Sequence, residues 1–182
     1  MNIPNLLTLI RIILIPVFVL IFYLPFKGNH ILACAIFTIA ALTDLLDGYL
    51  ARKLDQQSKL GAFLDPVADK LIVAVALVCI LQAHPSIYVA LPAAVIIGRE
   101  ITVSALREWM AELGARKRVS VSILGKIKTI SQMVSLGFLI YSEPLFSMPV
   151  FMIGIVLLYI ASILTLLSMI QYLIAAWPLL RE

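Results

Sequence analysis

Six apolar stretches, each long enough to form a membrane-spanning helix, follow one another along almost the whole chain. They cover residues 3–24, 31–52, 60–83, 87–113, 121–141 and 148–177. A helix needs roughly 20 mostly apolar residues to cross the hydrocarbon core of a bilayer, and hydrophobic residues make up 63% of these 182 residues. We therefore predict an all-α polytopic membrane protein with six transmembrane helices, folded as one integral-membrane domain over residues 1–182.

Basic residues concentrate in alternate links between the stretches. The links after the second and fourth stretches hold Arg52, Lys53, Lys59, Arg116, Lys117, Arg118, Lys126 and Lys128. The positive-inside rule places such links in the cytoplasm, so both termini are predicted to be cytoplasmic. Arg11 interrupts the first apolar run and no small-residue cleavage site follows, so the first helix is expected to be retained. The net charge of +4 suits anionic lipid headgroups, whereas no recognisable module supports a nucleic-acid partner.

Four aspartates break the apolar pattern within the second and third stretches. They lie in the order D-x2-D-G-x2-A-R-x8-G-x3-D-x3-D, at Asp44, Asp47, Asp65 and Asp69. Helical spacing places each pair on one helix face, and a short link lets the two faces meet across a cleft. Charges at membrane depth cost at least a few kcal/mol and these repel one another, so they need a cation. A structural role as paired charges would need one nearby cation for each carboxylate, and Arg52 and Lys70, which lie near in sequence, do not supply four.

The residue types favour divalent metal ions as that cation. Oxygen ligands without His or Cys select Mg²⁺ or Mn²⁺ over zinc, and four carboxylates on two helices are suited to two ions that grip a diphosphate. We expect Asp44, Asp47 and Asp65 to be the main ligands. Asp69 is expected to touch one metal and also to accept a proton from an attacking hydroxyl.

Small and basic residues beside the aspartates have two readings each. Gly48 and Gly61 would let a diphosphate or a flat ring approach the backbone, but small residues in membrane helices commonly serve helix packing. Arg52 could hold a phosphate or act as a topology determinant. A polar stripe at Asn5, Thr8 and Arg11 either contributes to the cleft or marks an interfacial entry helix.

Charged residues in the fourth and fifth stretches are further candidates for functional residues. Arg99, Glu100 and Arg107 lie within the fourth stretch, where ionisable groups are functional candidates, although a structural ion pair competes with that reading. Lys126 and Lys128 either bind substrate or extend to the membrane surface.

The aspartate pattern resembles the complete motif of the CDP-alcohol phosphotransferase family, over residues 44–52 and 61–69. Segments 5–11, 98–100, 105–109 and 124–129 are similar to those of bacterial members that use glycerol 3-phosphate. The resemblance implies six transmembrane helices, a homodimer in the bacterial inner membrane, and two divalent metals. It implies a cytidine-diphosphate site at Gly48, Arg52, Ser58 and Gly61, with Asn5 and Thr8 lining the nucleotide pocket and Asp69 as proton acceptor.

We therefore expect a transferase that moves the phosphatidyl group of CDP-diacylglycerol to glycerol 3-phosphate, releasing CMP on the cytoplasmic side. The acceptor carries its own phosphate and so needs cations, for which the candidates are Arg107, Arg116, Arg118, Lys126 and Lys128, with Lys126 and Arg118 as the first choices. One alternative is a sister transferase whose acceptor is inositol phosphate, serine or phosphatidylglycerol. Another is a divalent-cation or proton-coupled transporter, although carboxylates confined to one helix pair disfavour it.

Overall fold

The protein is described by a computed structural model that covers residues 3–53, 59–113, 123–145 and 147–180. Six α-helices take up nearly all of these residues. They are α1 (Ile3–Tyr23), α2 (Asn29–Lys53), α3 (Lys59–Ala83), α4 (Ile87–Glu112), α5 (Ile123–Tyr141) and α6 (Val150–Leu180). The β-structure in the described ranges is limited to one isolated bridge, between Leu145 and Met148. The predicted all-α class with six helices is confirmed.

The helix boundaries follow the apolar stretches closely. Helix α1 begins at Ile3 and α4 at Ile87, as predicted, and the end of α6 differs most, since it was expected at residue 177 and is observed at Leu180. Within the described residues, Asn5–Tyr23, Ile87–Glu112 and Val150–Ile174 are long and apolar enough to cross a membrane. Among the described side chains of α2 and α5, shorter apolar runs cover Asn29–Asp44 and Ile127–Tyr141. Membrane crossing by α2, α3 and α5, and the cytoplasmic termini, stay predictions.

Short links join α1 to α2 and α3 to α4, so each of these pairs runs antiparallel. Gly28 in the first link has a φ of 92°, a left-handed conformation that favours glycine. Ser86 caps α4 by accepting a hydrogen bond from the backbone N–H of Tyr88. These two links lie at one end of the bundle. The other end therefore holds the C-terminal ends of α2 and α4 and the N-terminal ends of α3 and α5.

An apolar core occupies the middle of the bundle. Phe18, Leu77 and Leu136 have no exposed surface, and the rings of Phe18 and Phe37 pack with centroids 6.3 Å apart. Large apolar side chains such as Leu20 also cover the outside, a surface that suits lipid better than water. The buried charged side chains among the described residues, Arg11, Arg99 and Lys128, line one cavity between the helices.

Candidate active site

Three of the four aspartates have described side chains, and they lie around a shared polar space. Asp44 comes from the C-terminal half of α2, and Asp65 and Asp69 from the first turns of α3. Asp44 and Asp69 are 40% and 44% exposed, so both carboxylates are open to water and to a ligand. The hydroxyl of Thr8 on α1 donates a hydrogen bond to Oδ1 of Asp65. Three helices therefore contribute to the same polar site.

A buried arginine from α1 connects two of these carboxylates. Arg11 has no exposed surface, and its Nη1 lies 3.1 Å from Oδ1 of Asp44 and also bonds Oδ1 of Asp69. One guanidinium nitrogen thus joins carboxylates from two different helices. The sequence drew attention to Arg52 and Lys70 as nearby cations, and the structure adds Arg11, whose stripe with Asn5 and Thr8 is buried. Of the two interpretations of that stripe, the structure supports a contribution to the cleft over an interfacial entry helix.

The donor chemistry of this site fits a divalent metal ion. Asp44 and Asp69 present hard carboxylate oxygens to the same nitrogen, so the two groups are close enough to share a cation, and Mg²⁺ and Mn²⁺ prefer such oxygens. Among the described side chains, no three acidic, His or Cys residues already gather around one point. The side chain of Asp47 lies outside this described set. The positive charge between Asp44 and Asp69 is supplied by Arg11.

A cavity of about 890 Å³ joins the aspartates to a second group of charged residues. Asp44, Asp65 and Asp69 line it from α2 and α3, and Arg99, Glu100, Arg107 and Lys128 line it from α4 and α5. A ligand in this cavity can therefore reach carboxylates at one part of the wall and cations at another. Cavities of this size hold small-molecule substrates.

The second group is organised around Glu100. Its Oε1 lies 3.0 Å from Nη1 of Arg99 and 2.6 Å from Nζ of Lys128. Arg99 also donates to Oγ of Ser168 on α6, at 2.7 Å. Arg99 and Lys128 are buried, and two cations share one carboxylate, so this cluster keeps a net positive charge. The structural ion pair considered from the sequence is present, and it lies in the cavity wall.

Arg107 contacts an aromatic residue, whereas Arg99 and Lys128 contact the Glu100 carboxylate. Its Nη2 donates to the hydroxyl of Tyr172 on α6, and its guanidinium carbon lies 4.9 Å from the centre of the Tyr172 ring. The Arg107 side chain is exposed. A cation stacked on an aromatic ring and open to the cavity has its position fixed while its charge stays available to an anion.

The structure brings together five of the predicted site residues in one cavity: Asp44, Asp65, Asp69, Arg107 and Lys128. Thr8 touches Asp65, and Asn5 and Gly61 are buried. Asp47, Gly48, Arg52 and Lys126 lie in helices, but their side chains are outside the described set. Ser58, Arg116 and Arg118 lie outside the described residues altogether.

Some cavity residues were not found from the sequence. Gln132 follows Lys128 by four residues on α5, and Tyr172 follows Ser168 by four on α6, so each pair lies on one helix face. The signal available was a pair of polar residues at helical spacing in an apolar stretch. The acceptor-site candidates in α4 and α5 were predicted from charge alone, and Gln132 and Tyr172 are uncharged.

The chain is similar to known proteins over nearly its whole length. The family model for CDP-alcohol phosphatidyltransferases matches residues 1–179. A Pseudomonas fluorescens protein is 56% identical over 182 residues, which are 100% of this chain and 93% of the relative. Proteins of Shigella flexneri serotype 5b and Escherichia coli K12 are 54% identical over 175 residues, covering 96% of this chain and 94% of each relative. All three are named CDP-diacylglycerol–glycerol-3-phosphate 3-phosphatidyltransferase.

Proposed function

The chain belongs to the CDP-alcohol phosphatidyltransferase family, and from this premise we propose that it transfers the phosphatidyl group of CDP-diacylglycerol to glycerol 3-phosphate. The products are phosphatidylglycerophosphate and CMP. The observation that carries the proposal is the single cavity lined by aspartates from α2 and α3 and by cations from α4 and α5. The first group suits a metal-bound diphosphate, and the second suits the phosphate of a soluble acceptor.

The aspartates are the residues that would hold two divalent ions, Mg²⁺ or Mn²⁺. Asp44, Asp47 and Asp65 are the main ligands in this proposal, and Asp69 touches one of the ions. When bound, the ions supply positive charge to the diphosphate and to the oxygens on which negative charge develops during transfer. Arg11 keeps Asp44 and Asp69 close to each other across the gap between α2 and α3.

Asp69 accepts the proton of the attacking hydroxyl. The hydroxyl oxygen of glycerol 3-phosphate forms a bond to the phosphorus that carries diacylglycerol, and the bond from that phosphorus to the CMP oxygen breaks. CMP leaves with the electron pair of that bond, and the hydroxyl proton moves to the Asp69 carboxylate. Two features support this role: the 44% exposure of the Asp69 side chain and its place in the cavity wall.

The nucleotide end of the donor is assigned by the family resemblance. Its residues are Asn5, Thr8, Gly48, Arg52, Ser58 and Gly61. The hydrogen bond from Thr8 to Asp65 supports a nucleotide pocket directly beside the carboxylates.

The acceptor phosphate is bound by cations at the other side of the cavity. Arg107 is the leading candidate, because its guanidinium is exposed and its position is fixed by Tyr172. Lys128 contributes through the net positive cluster around Glu100. Arg116, Arg118 and Lys126 are the remaining candidates.

The proposed setting is the bacterial inner membrane, with the chain as a homodimer and its active site facing the cytoplasm. CDP-diacylglycerol then enters sideways from the lipid, and glycerol 3-phosphate arrives from the aqueous side. The basic links after α2 and α4 support this orientation.

An acceptor panel tests the proposal. Purified protein in detergent micelles receives CDP-diacylglycerol, Mg²⁺ and one acceptor from among glycerol 3-phosphate, serine, inositol phosphate and phosphatidylglycerol, and CMP release is measured. We expect release to require glycerol 3-phosphate. Faster release with another acceptor would identify a sister transferase, and no release with any acceptor would remove the enzymatic assignment.

A further inference from the structure

Gln132 is a buried polar residue that the reaction described above does not use. It lies on α5, one helical turn deeper in the bundle than Lys128, and it lines the same cavity as Asp69 and Arg107. The residue is only 4% exposed, and within the described residues its Oε1 has no hydrogen-bond partner. A buried amide oxygen without a partner is costly. A ligand in the cavity that donates a hydrogen bond would remove that cost.

The absence of charge on the Gln132 amide limits which chemical group of a ligand can bind there. Gln132 is neutral, whereas the cavity already offers Arg107 and the cluster around Glu100 to an anion. A carboxamide oxygen accepts hydrogen bonds and its nitrogen donates them. The group that matches such a partner is a neutral hydroxyl, which can both donate and accept.

Glycerol 3-phosphate carries one such hydroxyl that has no other role. Its terminal hydroxyl attacks phosphorus and its phosphate requires cations, which leaves the secondary hydroxyl between them. We propose that Gln132 is a specificity-determining residue that accepts a hydrogen bond from this secondary hydroxyl. The inference rests on the proposed function, since the proposed function is what identifies the acceptor as glycerol 3-phosphate.

The consequence is discrimination against acceptors that lack the hydroxyl. A site built to bond a substrate hydroxyl rejects the analogue without it, since the buried partner is then left unpaired. The analogue 3-hydroxypropyl phosphate keeps the reacting hydroxyl and the phosphate and lacks only the secondary hydroxyl. We expect the wild-type protein to prefer glycerol 3-phosphate over this analogue by roughly 10- to 100-fold in kcat/KM.

The test compares both acceptors in the wild-type protein and in Gln132→Met, using the full chain in detergent micelles. Met has a similar length and no amide. In Gln132→Met, kcat/KM for glycerol 3-phosphate should fall by about the same roughly 10- to 100-fold factor, while kcat/KM for 3-hydroxypropyl phosphate stays nearly unchanged. The KM for CDP-diacylglycerol should not move. Retained turnover of the analogue also shows that the variant is folded.

Ser135→Ala is the matched control on the same helix. Ser135 is buried and donates to the backbone carbonyl of Gly154 at 2.7 Å, so its loss disturbs the packing of α5 on α6. This variant should change the rates with both acceptors by the same factor, which leaves the preference between them intact.

Three results would overturn the inference while leaving the proposed function in place. They are an equal loss with both acceptors in Gln132→Met, no loss with either, and a wild-type protein that does not distinguish the two acceptors. If the wild-type protein used neither acceptor but released CMP with serine, the proposed function would fail as well.

Discussion

Arg11 makes the sharpest prediction about what holds the active site together. The substitution Arg11→Met keeps an unbranched apolar side chain and removes the charge that joins Asp44 and Asp69. Removing one partner of a fully buried ion pair costs about 3–5 kcal/mol. Arg11 is fully buried here, but the two carboxylates are 40% and 44% exposed, so water compensates part of the loss. We expect a destabilisation of about 2 kcal/mol in the absence of metal.

The assay is thermal unfolding of the purified protein in detergent, followed by tryptophan fluorescence, in EDTA and in saturating Mg²⁺. For a chain of this size, about 2 kcal/mol corresponds to a fall of roughly 4–8 °C in Tm. In EDTA the variant should show this fall. In Mg²⁺ the fall should shrink, because a divalent ion between the carboxylates replaces the missing positive charge.

Lys27→Met is the control for a lost cation elsewhere. Lys27 is exposed in the link between α1 and α2, so its removal should change stability by less than about 0.5 kcal/mol in either condition. An equal loss for Arg11→Met in EDTA and in Mg²⁺ would refute the idea that arginine and metal supply the same charge. An unchanged Tm in EDTA would refute the stabilising role itself.

Four further substitutions test the metal ligands, the general base, the acceptor-phosphate site and the packing of α5 against α6. Asp65→Asn should abolish CMP release and weaken Mn²⁺ binding measured by titration calorimetry, because a lost ligand removes charge and geometry together; near-normal turnover would contradict the metal assignment. Asp69→Asn should lower turnover by roughly 10²-fold or more while CDP-diacylglycerol still binds, whereas joint loss of binding would make Asp69 chiefly a ligand. Arg107→Gln should raise the KM for glycerol 3-phosphate about tenfold or more and leave the KM for CDP-diacylglycerol unchanged; an unmoved acceptor KM would remove Arg107 from the phosphate site. Gly154→Ala should lower stability by about 1–3 kcal/mol, since the new Cβ would lie 2.9 Å from Cγ of Leu139, and a wild-type Tm would show that α5 and α6 can separate slightly.

The fold could be predicted because hydrophobic length is a local property of the sequence. The start of α1 at Ile3 and of α4 at Ile87 coincides with the start of an apolar stretch. The end of α2 was expected at residue 52 and is observed at Lys53, and the start of α3 was expected at residue 60 and is observed at Lys59, so these boundaries also agree to within one residue.

The pairing of charges could not be predicted, because it depends on how each helix is rotated against its neighbours. The stripe containing Arg11 was visible, but its partner Asp69 is 58 residues away. Arg99 likewise bonds Ser168, 69 residues away on another helix. Periodicity indicates which face of a helix is polar, and tertiary packing decides which polar face it meets.

In the proposed function, one cavity transfers a phosphatidyl group to glycerol 3-phosphate. The most direct measurement supplies radiolabelled glycerol 3-phosphate and unlabelled CDP-diacylglycerol to the purified protein with Mg²⁺, then quantifies CMP and label in the lipid phase. We expect equal amounts of CMP and labelled lipid in the wild-type protein, and a fall of roughly 10²-fold or more in the rate of forming both in Asp69→Asn. CMP released without label in the lipid phase would mean hydrolysis in place of transfer, and would rule out the proposed function.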